Sequence, residues 1–254
     1  MKLEKSPNQE MQKELSTELL LNWKVVLYKQ KILSIYGNTE EEIEILSRLW
    51  DERDSPDIHF NHVEETTQLE FDFIVFRKVI ALYVEWHLEY NKIHVNIHPF
   101  TLIDENFENR LEWIFKAYNF NDFEKLSFEI LEEWRMDNIY SLNKNINFLR
   151  RKRIEVWLDD FPNHNNADLL PLIDNLDFVK IDKSFILSLN DVNKDTIRDV
   201  IQQLVTDINR FHPNVKIIIE WIEDLRCYNY IMSNIYWIDS VQWYLFGQPN
   251  EIGA

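Results

Sequence analysis

Seven short apolar runs in this 254-residue chain each carry a group that a buried strand ordinarily avoids. Glu44 interrupts Ile43–Leu46, Asn96 follows His94-Val95, and Glu129 follows Leu126-Ser127-Phe128. Asp159 and Asp160 close Val156-Trp157-Leu158, and Lys180 follows Phe178-Val179. Glu220 ends Ile217-Ile218-Ile219, and Gln242 follows Val241. A buried charge must be paired or must bind metal. The five carboxylates and the Asn96 amide are hard oxygen ligands, suited to Mg²⁺ or Mn²⁺. The adjacent pair Asp159-Asp160 suits a two-metal site in which one carboxylate bridges. Any one of these residues alone reads equally well as a solvated strand end; seven in one chain favour a site.

The elements that must position them are short β-like runs alternating with helical patterns. Strands are expected over Val25–Gln30, Ile43–Trp50, Ile93–Ile97, Leu126–Leu131, Ile154–Phe161, Phe178–Ile181, Lys216–Trp221 and Ser240–Leu245. Between Glu70 and Tyr90, Phe73, Phe76, Val79, Ile80 and Val84 recur at helical spacing. Ile197, Val200, Ile201, Leu204, Val205 and Ile208 do so between Asp195 and Phe211. Eight strands with interleaved helices predict a (β/α)8 TIM-like barrel, with an open doubly wound sheet as the alternative. In a barrel the polar strand ends converge on the C-terminal face. Residues 1–20 read as a polar lead-in with a helix over Glu10–Leu21, and residues 21–254 as the barrel domain.

Composition removes several function classes. Hydrophobic residues make up 45% of the chain, too many for a disordered one. No run of about 18 apolar residues offers a membrane span, and the polar N-terminus lacks a signal-peptide apolar region. One cysteine, Cys227, excludes an internal disulfide, so the expected setting is cytoplasmic. A net charge of −17 disfavours duplex nucleic acid. Three glycines cannot build a phosphate-cradling loop, so P-loop and Rossmann readings fail.

The order of these pieces resembles the EAL domain family, bacterial phosphodiesterases of cyclic di-GMP. Leu27-Tyr28-Lys29-Gln30 is similar to its first strand, and Glu44-Ile45-Leu46-Ser47-Arg48 to the Glu-Ala-Leu segment with its downstream Arg. His94-Val95-Asn96-Ile97-His98-Pro99 is similar to Val-Asn-Leu-Ser, and Phe128-Glu129-Ile130-Leu131-Glu132 to Glu-Ile-Thr-Glu. Asp159-Asp160-Phe161 matches unchanged, and Val179-Lys180-Ile181-Asp182-Lys183-Ser184-Phe185 resembles the Lys-Ile-Asp strand. Glu220-Trp221-Ile222-Glu223 and Val241-Gln242-Trp243-Tyr244-Leu245-Phe246-Gly247 complete the series.

The resemblance implies a barrel whose first strand runs antiparallel to the rest. It implies that Glu44, Asn96, Glu129 and Asp159 hold one metal. Asp159, Asp160 and Glu220 would hold or border a second, with Gln242 nearby. Lys180 would position the attacking water, so that Lys180, Glu44 and Glu220 form the catalytic set. Arg48 would contact a substrate phosphate, Gln30, Gln242 and Glu223 would reach the ligand, and Glu132 would brace a loop. The implied function is metal-dependent hydrolysis of cyclic di-GMP to linear pGpG by a homodimer, with two Mg²⁺ or Mn²⁺ ions. The alternative is an EAL-like regulator that binds cyclic di-GMP or a partner protein without hydrolysis.

The chain departs from the family pattern at several points. Pro162-Asn163-His164-Asn165-Asn166 replaces a Gly-rich loop, and proline fixes φ and removes an N–H. Leu131 replaces a Thr, and Trp221 and Trp243 replace glycines. His94 and His98 read either as metal ligands or as packed histidines. Arg150-Arg151-Lys152-Arg153 reads as a solvated helix end. Trp134, Tyr140, Phe148 and Trp157 read as core or interface.

The paired indoles are expected to occupy space that guanine would use. Trp221→Gly combined with Trp243→Gly should therefore raise cyclic di-GMP affinity or turnover, read by calorimetry beside thermal melting. A loss of roughly 1–3 kcal/mol per indole would instead identify a stacking platform, and an unfolded double variant would identify core positions.

Overall fold

Alternation along each strand divides its side chains between two faces. The computed structural model describes residues 25–34, 42–49, 65–86, 90–131, 138–162, 173–182, 194–219, 229, 233–242 and 250–252. The expected lead-in helix, Trp134, Cys227, Trp221 and Trp243 lie outside them, as do Glu132, Glu220, Glu223 and the side chain of Gln242.

The described residues form nine strands: β1 (Val25–Ser34), β2 (Glu42–Leu49), β3 (Lys92–Ile97), β4 (Leu126–Ile130), β5 (Glu155–Phe161), β6 (Phe178–Ile181), β7 (Lys216–Ile219), β8 (Ser240–Gln242) and β9 (Asn250–Glu251). β2 to β8 pair in chain order and in parallel. β1 pairs antiparallel with both β2 and β8, which closes the ring. Closure sets aside the open doubly wound alternative. β9 adds to β1 through Tyr28 and Lys29. It was not expected from sequence, because two exposed residues held by main-chain bonds carry no apolar pattern. β1 runs past the expected Gln30 to Ser34, because its far end supplies the β8 pairing.

The α-helices among the described residues are α1 (Glu65–Trp86), α2 (Pro99–Leu102), α3 (Phe107–Ala117), α4 (Ile139–Arg151) and α5 (Lys194–Phe211). Among the described residues no helix is long and apolar enough to cross a membrane. Phe73, Phe76, Val79 and Ile80 of α1 and Ile201, Val205 and Ile208 of α5 are buried as expected. Val200, expected on the same stripe, is exposed, as is Tyr140. Arg150 and Arg151 end α4 at the surface, in keeping with a solvated helix end.

Two apolar clusters lie on opposite faces of the sheet. Ile43, Ile45, Val95, Phe128, Val156, Leu158, Val179, Ile217 and Val241 pack outward with the helices. The alternate residues Trp157, Phe178 and Ile218 join Ile32 from across the ring in a separate interior cluster. Trp157 is fully buried, its ring centroid 4.2 Å from Phe178 and 3.9 Å from His94. Burying one indole contributes roughly 5 kcal/mol. This layer floors the C-terminal half of the barrel.

The segment leaving β3 is fixed by a buried carboxylate. Asp72 of α1 accepts from the His98 amide at 3.0 Å, from Thr101 Oγ1 at 2.6 Å, and pairs with His98 Nδ1 at 2.9 Å. That ties α1 to α2 two residues after Asn96. Asp72→Ala should cost about 1–3 kcal/mol for each buried donor left dry, while Asp72→Asn, which keeps acceptor capacity, should cost less. Urea denaturation of both variants measures this; equal losses would show that the carboxylate charge, not the remaining acceptor capacity, sets the effect.

Candidate functional site

The inward positions near the C-terminal ends of β3 to β6, with Glu44 of β2 beside them, hold polar residues singled out in the sequence. Asn96 and Glu129 are register partners on β3 and β4, and Gln30 faces Glu44 across the β1–β2 ribbon. Lys180 lies at the centre, only 1% exposed. Its Nζ donates to Glu129 Oε2 at 2.8 Å and lies 2.9 Å from Asp159 Oδ1 and 3.7 Å from Glu44 Oε2. Asn96 Nδ2 donates to Glu44 Oε1 at 3.0 Å. Five of the expected residues are thus in direct contact.

β5 ends in a local irregularity at Asp160. Leu158 pairs with Val179, but Phe161 pairs with Ile181, so β5 inserts one extra residue opposite Lys180. Asp160 absorbs it with φ at 48°. A bulge of this kind re-aims side chains.

Arg48 lies on the same face of β2 as Glu44, four residues further along, about 13 Å at the usual strand rise. β2 has by then left β3 and pairs only with β1, so Arg48 stands beyond the ring. Its Nη1 donates to the Ser47 carbonyl at 2.7 Å. Gln30 is buried beside Glu44.

Three carboxylates surround one ammonium. Burial pushes the Glu129 carboxyl well above the usual range, with Lys180 opposing and Glu44 and Asp159 reinforcing the rise. If all ionise, the buried set carries −2, which one divalent cation would cancel. Asn96 Oδ1 and Glu129 Oε1 are buried without a hydrogen-bond partner. These are the oxygens a hard cation uses. Among the described residues no three His, Cys, Asp or Glu side chains are already arranged to hold an ion; the Lys180 ammonium lies among them instead. In chemistry and charge the donor set fits a divalent metal.

His94 does not join the upper cluster. It sits one inward position below Asn96, fully buried, with Nδ1 3.6 Å from Glu129 Oε1 and Nε2 3.5 Å from Glu42 Oε2. Burial lowers its pKa despite the nearby Glu42 and Glu155. His98 points to Asp72 rather than to the site. Sequence reasoning passed over Asp72 and Glu42. Asp72 carried the same signal as the strand residues, an acid between two apolar neighbours, Phe71 and Phe73; Glu42, last of three consecutive glutamates, did not.

Removing the ammonium leaves three buried acids facing one another. Lys180→Met in chelator should lower unfolding stability by about 3–5 kcal/mol, and adding Glu129→Gln should recover part of it. Urea denaturation tests both steps; unaltered stability in Lys180→Met would mean that the carboxylates are balanced by other groups.

A family model described as EAL domain matches residues 12–249. Among curated proteins, the chain is 28% identical over 235 residues to the cyclic di-GMP phosphodiesterase PdeA of Borreliella burgdorferi. That match covers 89% of this chain but only 34% of the relative, so the chain spans about a third of its length. Among solved structures, the FimX EAL domain superposes with a TM-score of 0.78 at 19% identity, covering 94% of this chain and 96% of that one. Klebsiella pneumoniae BlrP1, solved as a calcium and cyclic di-GMP complex, gives a TM-score of 0.73 at 18% identity, covering 91% of this chain and 57% of that one.

Proposed function

The chain belongs to the EAL domain family, and from that membership we propose that it hydrolyses cyclic di-GMP to linear pGpG with the help of divalent metal. The observation that carries the proposal is the cluster of Glu44, Asn96, Glu129 and Asp159 around buried Lys180 at the C-terminal mouth of a closed barrel. The activity of the Borreliella relative and the ligands of BlrP1 support it.

Glu44, Asn96, Glu129 and Asp159 would hold one Mg²⁺ or Mn²⁺ ion, and Asp160 and Glu220 would share a second with Asp159. Bound there, the metal would supply Lewis acidity for the phosphoryl group and for an attacking water. The chain's own groups do the rest. Lys180 Nζ, held between Glu129 and Asp159, would hydrogen-bond the water and orient it. It would also offset charge that develops on the phosphoryl oxygens. The water oxygen bonds to phosphorus, the P–O3′ bond breaks, and the departing 3′ oxygen takes a proton. Arg48, beyond the ring, would hold a phosphate with its planar fork. Gln30, Gln242 and Glu223 would contact the nucleotide, and Glu132 would brace a loop beside it. A homodimer in the cytoplasm, with residues 1–20 as a lead-in to the barrel, completes the proposal; light scattering tests the dimer.

One observation favours a second reading, a regulator that binds cyclic di-GMP or a partner protein without hydrolysis. The Lys180 ammonium already lies where it offsets the carboxylates without an ion.

Chromatography of cyclic di-GMP incubated with the protein and Mn²⁺ decides between them, since pGpG forms only under the first. Glu44→Ala, Asp159→Ala and Lys180→Ala should each lower turnover at least about 100-fold. Arg48→Ala should weaken ligand binding by about 1.5–3 kcal/mol. Turnover near wild type in any of the first three removes that residue from the mechanism, and unaltered affinity in Arg48→Ala removes the phosphate contact.

A further inference from the structure

Beneath the proposed ion site, charged groups continue down the barrel interior. Glu129 Oε2 is occupied by Lys180 at 2.8 Å. Glu129 Oε1 is buried without a hydrogen bond, and His94 Nδ1 lies 3.6 Å away. The other ring nitrogen, also buried and without a hydrogen bond, faces Glu42 Oε2 at 3.5 Å. Glu42 stands at the opposite, N-terminal end of β2, its side chain 30% exposed. A neutral imidazole donates from one nitrogen only; with the proton on Nδ1, a shortening of about 0.6 Å would turn the Glu129 contact into a hydrogen bond. Each nitrogen faces one carboxylate.

The ring cannot leave this line without disturbing the floor. Trp157 packs on it at 3.9 Å and is itself stacked on Phe178. His94 has no exposed surface, so a substrate at the mouth does not touch it. A carboxylate that is to hold an ion keeps its affinity only while its orientation is held from behind. For Glu129, whose Oε2 is taken by Lys180 and whose Oε1 lies 3.6 Å from His94 Nδ1, that support comes from the imidazole.

We propose that His94 is a positioning residue, a buried imidazole strut between Glu42 and Glu129 that fixes the Glu129 carboxylate from below. The inference rests on the reading of Glu129 as an ion ligand. It extends the functional unit beyond the mouth, to an acid at the far end of the barrel.

The test uses the full chain, with His94→Phe keeping the ring volume and His94→Gln keeping a two-ended hydrogen-bonding group. Calorimetry gives Mn²⁺ affinity, steady-state assays separate kcat from KM for cyclic di-GMP, and thermal melting reports the fold. His94→Phe should weaken Mn²⁺ binding by about 10- to 100-fold and lower kcat with KM unaltered. His94→Gln should restore most of both. Glu42→Leu should shift Mn²⁺ affinity in the same direction as His94→Phe, which a merely local packing role would not do. Wild-type Mn²⁺ affinity in His94→Phe overturns the proposal, as does equal impairment in His94→Gln that follows the melting temperature. A wild-type protein that neither binds Mn²⁺ nor turns over would defeat the phosphodiesterase reading separately. Nitrogen NMR of the metal-free chain then decides the strut, and also decides it if His94→Phe fails to fold. The His94 ring resonances should move in Glu42→Leu and in Glu129→Leu, and resonances that stay in place would overturn it.

Discussion

An ammonium closed inside a β-barrel has to be compensated where it lies. The idealised cost of taking such an ion into a medium of low dielectric is of order 20 kcal/mol, and several remain after relaxation. Lys180 meets that cost with Glu129, Asp159 and Glu44, all within 3.7 Å. The three acids then exceed the one base, and the excess is itself a demand for positive charge. Structural need and chemical capacity coincide at this point. The set that solvates Lys180 is the set that suits a divalent ion, and neither can be altered without the other.

The barrel makes this arrangement possible by separating two interiors. Outward residues of the strands bury against helices and fix the ring, so inward positions need not supply the main apolar core. Four inward apolar side chains form a floor, and everything above it is free to be polar. The bulge at Asp160 trades regularity for reach. A non-glycine residue with φ at 48° costs of order 1–3 kcal/mol, less for aspartate, which tolerates that region best. The strain sits one residue from Asp159.

Much of this was legible because the strands are short and their polar exceptions are unambiguous. Glu44, Asn96, Glu129, Asp159 and Lys180 each broke an apolar run, and closure brought all five together. Their mutual distances were not legible, since spacing along strands says nothing of stagger around a ring. The bulge was hidden for the same reason, being a matter of pairing between β5 and β6. β9 was hidden because main-chain pairing alone holds it. His94 was visible as a polar residue beside Asn96, but its lower level in the barrel became clear only from the register with β2 and β4. Val200 shows the opposite error, an apolar residue at helical spacing that still faces solvent.

A chain of net charge −17 and an anionic dinucleotide seem poorly matched. Over distances beyond about 8 Å, however, physiological salt screens exposed charges, so the total matters less than the path into the mouth. At its outer end stands Arg48, on the β1–β2 ribbon beyond the ring. At its inner end stands Lys180, with acids that a divalent ion would neutralise. The acidity of the remaining surface then discourages polyanions that cannot reach the mouth, while a small cyclic dinucleotide needs only the last few ångströms to be favourable. A net charge of −17 disfavours duplex nucleic acid and is compatible with the small ligand proposed.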